Sequence, residues 1–180
     1  MSKNKIILFD LDGTLIESTD AIISTYLHTF KELDFDFKYS IDDIKSLIGY
    51  PLDIMYKELG VEDEKVWEFV NSYKNRYRVI SKEQTTLLEN ALEAVQLASQ
   101  IGRVSVVTTK TRMYTMPLLE HCGIAHFFEI VTVRENVENP KPHPEPILIT
   151  LEQMNYNKAL HDVWMIGDTK LDLIAANAAH

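Results

Sequence analysis

Four short apolar runs constrain this chain more than any other feature: Ile6-Ile7-Leu8-Phe9, Val104-Ser105-Val106-Val107, Ile130-Val131-Thr132-Val133 and Val163-Trp164-Met165-Ile166. They are rich in β-branched residues and mostly unbroken, the pattern of strands covered on both faces in a parallel sheet. From the second run onward, helical periodicity fills the gaps. Ala91, Leu92, Val95, Ala98 and Ile101 recur at helical spacing and stop at Gly102, read as the residue just past a helix end. Met113 to Cys122 reads as another helix, closed by Gly123, and Glu145 to Met154 as a third with Ile147, Leu148 and Leu151 on one side. This alternation predicts an α/β fold on a doubly wound, Rossmann-like parallel sheet.

The stretch between the first two runs differs. From Ser18 to Gln84 the periodicity is helical throughout. Ile22, Ile23, Tyr26, Leu27 and Phe30 form one stripe, and Ser40 with Asp43 forms a capping box before a helix expected to bury Ile41, Ile44, Leu47 and Ile48. Pro51 stands where a first-turn proline would start the next helix, which ends at Gly60. Val66, Phe69, Val70, Tyr73, Tyr77 and Ile80 give the cleanest amphipathic face. A crossover helix needs only about a dozen residues, so residues 18–84 are expected as an inserted helical domain. Residues 1–17 and 85–180 then form a discontinuous core.

Composition fits that plan: 180 residues, 46% of them hydrophobic, suffice for one domain with an insert. A formal charge of −9 argues against a nucleic-acid partner, which needs a basic surface. No apolar run approaches the roughly 18 residues of a membrane span. The segment Met1 to Lys5 is polar, and Cys122 is the single cysteine, so a reducing cytoplasm is the expected location. Cys122, Trp67 and Trp164 read as core residues, and the histidines show no zinc-ligand spacing.

The residues that follow the runs carry the chemistry. Asp10, Asp12, Gly13 and Thr14 follow the first, Thr108 and Thr109 the second, Lys141 lies in a Pro-Lys-Pro turn beyond the third, and Gly167-Asp168 with Asp172 follow the fourth. Ligands of open α/β sheets bind at the carboxyl ends of the strands. Asp10 and Asp12, two apart in extended chain, are expected to point to one side, with Asp168 joining them. Two carboxylates ~4 Å apart repel by about 4 kcal/mol at an effective dielectric near 20, so the cluster calls for a cation. Hard oxygen ligands favour Mg²⁺. Thr108 and Lys141 read as donors to a phosphoryl group, and Gly13 clears room for backbone to approach it. Each piece alone has an ordinary reading: a turn aspartate, a threonine helix cap, a solvated lysine. Their shared placement at strand ends is what points to a site.

In these motifs the chain resembles the haloacid dehalogenase-like superfamily, in its phosphatases with a helical cap inserted after the first strand. The matching segments are Leu8-Phe9-Asp10-Leu11-Asp12-Gly13-Thr14-Leu15, Val107-Thr108-Thr109-Lys110, Lys141-Pro142-His143-Pro144-Glu145 and Gly167-Asp168-Thr169-Lys170-Leu171-Asp172. Gly49-Tyr50-Pro51-Leu52 resembles a segment common in caps of the phosphoglycolate phosphatase branch. The resemblance implies that Asp10 is a nucleophile forming an aspartyl-phosphate and that Asp12 is the acid and base. It implies Mg²⁺ held by the Asp10 and Asp168 carboxylates and the Asp12 backbone carbonyl, with Asp172 in support. Thr108, Thr109 and Lys141 would bind the phosphate, and the substrate would be a small phosphorylated metabolite such as phosphoglycolate. A bacterial pyrophosphatase branch is an alternative, since Thr108-Thr109-Lys110-Thr111-Arg112 and Lys141-Pro142-His143-Pro144-Glu145-Pro146 resemble it as well. A non-catalytic module of this fold is another. Lys110 and Arg112 read equally as attractors of an anionic substrate and as solvated side chains. No nucleic acid and no membrane are expected as partners, and the protein is expected to be a monomer or homodimer. Family members continue past the fourth motif into a further edge strand. That C-terminal strand is expected to be missing here, leaving the fourth run as an unpaired edge.

Overall fold

The computed structural model describes residues 4–179. Residues 1–3 and 180, assigned above to the core, lie outside them. Strands β1 (Asn4–Phe9), β4 (Gly102–Val107), β5 (Ile130–Thr132) and β6 (His161–Ile166) form one parallel sheet in the order β5-β4-β1-β6. The first strand is therefore central. Ile6 and Leu8 enter one apolar cluster with Val107, Ile147 and Leu151, while Ile7 and Phe9 enter another with Val95, Val104 and Leu118. Both faces of β1 are thus covered, as its unbroken apolar run requires. Helices α5 (Ala91–Ile101), α6 (Arg112–His121), α7 (Glu145–Gln153) and α8 (Lys170–Ala179) supply the cover.

A two-stranded antiparallel pair, β2 (Ile16–Glu17) with β3 (Thr86–Leu87), brackets the helical stretch. Between them run α1 (Thr19–Glu32), α2 (Ile41–Leu47), α3 (Leu52–Glu58) and α4 (Val66–Ile80). All six apolar positions singled out in α4 are buried. An aromatic cluster joins three of these helices: Tyr26 in α1 lies 4.6 Å from Tyr56 in α3 and 5.0 Å from Tyr73 in α4, ring centre to ring centre. The Ser40–Asp43 capping box forms with both of its reciprocal hydrogen bonds.

Several sequence expectations need correction. Leu27, Ile41, Leu92, Ile101 and Leu148 are exposed, because the helices bury narrower stripes than their apolar content suggests. Pro51 caps α3 from just outside it rather than occupying the first turn. Gly102 is extended (φ −169°), not left-handed, and opens β4. A Cβ there would stand 2.7 Å from the Lys5 carbonyl oxygen, so close approach of the two strands accounts for glycine. Trp67 and Trp164 are surface residues, 62% and 60% exposed, and Cys122 is half-buried. The fourth run alternates between half-buried and exposed residues. It lies at the sheet edge, paired with β1 alone among the described residues and covered on one face by α8.

Candidate active site

Strand register brings the candidate residues together. Phe9 lies opposite Val106 in β4 and Ile166 in β6, and Val107 lies opposite Thr132 in β5. The strands therefore end at one level, and Asp10, Thr108 and Asp168 emerge along one edge of the sheet. Asp10, Asp168 and Asp172 each place a carboxylate oxygen within 4.8 Å of the others.

Lys141 binds this cluster together. Only 2% exposed, its ammonium bonds Asp10 Oδ1 at 2.8 Å, Asp172 Oδ1 at 2.6 Å and the Val107 carbonyl at 3.1 Å. An ammonium has three donors, and these three partners satisfy them. Burial pulls the lysine towards neutrality, but the Asp10 and Asp172 carboxylates outweigh it, and the group stays charged above its ordinary value. The Asp10 carboxyl is raised to about 6: burial pushes it up most, Lys141 pulls it down, and the nearby Asp172 carboxylate adds to the rise. A buried carboxyl raised this way is an anion short of positive charge. The Asp172 Oδ2 atom accepts from the Thr169 amide and hydroxyl, which fixes its rotamer. Asp168 is exposed and accepts from the Thr14 hydroxyl at 2.8 Å.

Two glycines make the cluster sterically possible. Gly13 has φ +79°, and a Cβ there would collide with the Asp168 carboxylate. At Gly167 a Cβ would collide with Asp172. Three carboxylates converging over small gaps, two of them buried and one of those, Asp10, underneutralised, fit a hard divalent cation such as Mg²⁺.

The Asp12 carboxylate is not part of that cluster, contrary to the expectation that it would share a side with Asp10. β1 ends at Phe9, and Leu11 to Ile16 fold into a tight turn in which Leu15 and Ile16 donate to the Leu11 carbonyl. Alternation of side chains lapses where the strand does. Asp12 instead faces Lys110, whose ammonium lies 2.9 and 3.0 Å from its two carboxylate oxygens, and the Ser18 hydroxyl donates to Oδ1. Lys110 also stands 4.8 Å over the Tyr77 ring centre. Lys110 is thus not the solvated side chain that was one of its two readings, being paired with Asp12 and largely covered, while Arg112 is exposed at the start of α6.

Thr108 is buried beside the cluster, its hydroxyl accepting from the Lys110 amide. The Thr109 hydroxyl turns away from the cluster and donates to the Gly49 carbonyl at 2.8 Å, tying α2–α3 loop backbone to the sheet edge. Its remaining donor for an anion is the backbone N–H. Residues to which the sequence assigned no role also act here. Glu145 accepts from the Glu138 and Asn139 amides and the Asn139 side chain, clasping the loop that carries Lys141. Thr14 and Ser18 orient Asp168 and Asp12. Their signal was slight: hydroxyl residues two and six positions beyond Asp12, and a glutamate four beyond Lys141.

A cavity of about 270 Å³ opens beside Asp12 and Lys110, between the sheet edge and the helical stretch. Among the described residues, no helix is long and apolar enough to cross a membrane.

Comparisons with known proteins bear on the family and the fold. A pyrophosphatase PpaX from Halalkalibacterium halodurans is 34% identical over 174 residues, spanning 96% of this chain and 79% of that protein. The structure of a haloacid dehalogenase-like family hydrolase from Streptococcus pneumoniae superposes with a TM-score of 0.83 at 26% identity, covering 99% of this chain and 82% of the other. That of a predicted phosphoglycolate phosphatase from Haemophilus somnus shares the fold, with a TM-score of 0.86 at 23% identity over 99% and 83% of the two chains. Residues 7–180 match the family described as haloacid dehalogenase-like hydrolase. The chain belongs to the haloacid dehalogenase-like hydrolases.

Proposed function

We propose that this hydrolase is a Mg²⁺-dependent phosphatase that cleaves a small phosphate ester through an aspartyl-phosphate on Asp10. The observation that carries the reading is the buried Asp10–Lys141–Asp172 arrangement with Asp168 beside it. In this reading residues 1–17 and 85–180 are the catalytic core and residues 18–84 a helical cap over its edge.

The Asp10 carboxylate and Asp168 carboxylate would hold the ion with the Asp12 carbonyl, and Asp172 would orient the set. Bound there, Mg²⁺ supplies positive charge to the nucleophile and to the phosphoryl oxygens. The rest falls to the chain. A carboxylate oxygen of Asp10 bonds to phosphorus as the ester P–O bond breaks, and Asp12, protonated in the reacting complex, delivers that proton to the departing oxygen. Water then attacks phosphorus and gives a proton to Asp12. The acyl-phosphate bond breaks, releasing phosphate and restoring both acids. Lys141, the Thr108 hydroxyl and the Thr109 amide would neutralise charge on the transferring oxygens. Lys110 and Ser18 would hold Asp12 on the side from which the leaving group departs. Seating of the cap, through the Thr109–Gly49 bond, would keep bulk water out.

The name of the PpaX relative favours a second reading, hydrolysis of pyrophosphate by the same residues. Acid quench during turnover followed by borohydride reduction tests what the two readings share. The expected result is homoserine at position 10, and turnover with reductive labelling at another aspartate would overturn it.

A further inference from the structure

The cavity beside Asp12 is the space a leaving group would occupy, and its walls describe that group. Ile22, Met55, Val70 and Tyr73 present hydrocarbon and ring surface to it. Trp67 lines it as well, although the residue is largely in water. A large indole held at a cavity mouth without burial is what a ring-stacking contact needs before its ligand arrives.

The charges on the lining cancel. Asp12, Asp53 and Glu135 face Lys74, Lys110 and Arg134. Lys110 is already paired with Asp12, and one of the five Arg134 donors goes to the Val137 carbonyl. Glu135 is held by the Arg112 amide. The Thr111 and Tyr77 hydroxyls are buried polar atoms of the lining without a hydrogen-bond partner, and each offers one hydrogen bond. A departing inorganic phosphate carries about two negative charges and several acceptor oxygens at neutral pH. Desolvating it against this wall would leave most of them unpaired. A carbon body would instead remove apolar surface from water.

Resting on the phosphatase reading, we propose that the substrate is an organic phosphate monoester whose alcohol carries an apolar, ring-sized body, and that Trp67 is a specificity residue stacking on it. Pyrophosphate and phosphoglycolate are then poor substrates. The test compares kcat/KM of the Mg²⁺-loaded protein for 2-phenylethyl phosphate, phosphoglycolate and pyrophosphate. The alkyl ester has the poorest leaving group of the first and last, so intrinsic reactivity works against the expected order. A value for 2-phenylethyl phosphate at least 10-fold above both others is expected, and a higher value for either competitor overturns the inference. The Trp67→Ala variant should raise KM for 2-phenylethyl phosphate about 5-fold with kcat kept and the melting temperature held; an unchanged KM removes Trp67 from the proposal. Turnover of p-nitrophenyl phosphate by the same preparation, compared with Asp10→Asn, separates the two failures. Asp10-dependent turnover with pyrophosphate preferred sinks only the substrate class, whereas Asp10-independent or absent turnover sinks the phosphatase reading with it.

Discussion

Lys110 and Asp12, 98 residues apart in sequence, meet as a nearly buried ion pair in which one ammonium spans both carboxylate oxygens. Asp12 stands in a turn, and the lysine, together with the Ser18 hydroxyl, keeps its carboxylate aimed at the cavity. Removing one partner of such a pair strands the other charge. Lys110→Met should therefore destabilise the protein by about 3 kcal/mol and lower kcat about 100-fold, within the span of general-acid contributions. Lys110→Arg should recover most of the stability. Denaturant melts and steady-state kinetics on both variants check this.

The Thr109 hydroxyl and the Gly49 carbonyl form a strut between the sheet edge and the helical stretch. Thr109→Val keeps the shape and deletes the donor, at a cost of about 1 kcal/mol. Amide exchange at residues 48–50 should quicken while exchange in β1 and β4 stays as it was. Equal acceleration in both places would mean a global rather than local loss.

Gly13 is left-handed and lies against the Asp168 carboxylate. Gly13→Ala combines about 1 kcal/mol of backbone strain with displacement of that carboxylate. Calorimetric titration should show Mg²⁺ affinity falling at least about 10-fold, the range seen when groups supporting metal ligands are lost.

Glu145 clasps the Lys141 loop with three accepted hydrogen bonds. The Asn139 side chain and then the Glu138 amide hold its carboxyl below the ordinary 4.5. A depressed carboxyl binds fewer protons folded than unfolded. Its stabilisation is thus complete above about 4.5 and fades as pH falls through the lower folded value. The stability gap between wild type and Glu145→Gln should be constant from pH 8 to 5 and narrow below pH 4.5, read by urea melts at each pH.

Much of the fold was legible in the sequence because strand signals here are unbroken apolar runs and helix signals carry caps and stripes. Ile6 to Phe9 could only be a strand buried on both sides, and Ser40 with Asp43 wrote its own helix start. The candidate residues were legible because strand ends in a parallel sheet collect on one edge. What escaped was side-chain direction beyond the strands. Asp12 and Thr109 lie past the ends of β1 and β4, where turn geometry and distant partners, Lys110 and Gly49, decide where they point. Trp67 and Trp164 were misread because hydrophobicity alone does not say whether a neighbouring element covers the face that carries them.

The central claim is that Asp10 attacks phosphorus with a divalent ion at its side. It is tested most directly by p-nitrophenyl phosphate turnover in wild type and Asp10→Asn, each with Mg²⁺ and with chelator. The account predicts turnover in wild type with Mg²⁺ alone, and a loss of about a million-fold in the variant, the scale of deleting a catalytic nucleophile. Comparable rates for the two proteins, or a wild-type rate indifferent to chelator, would contradict it.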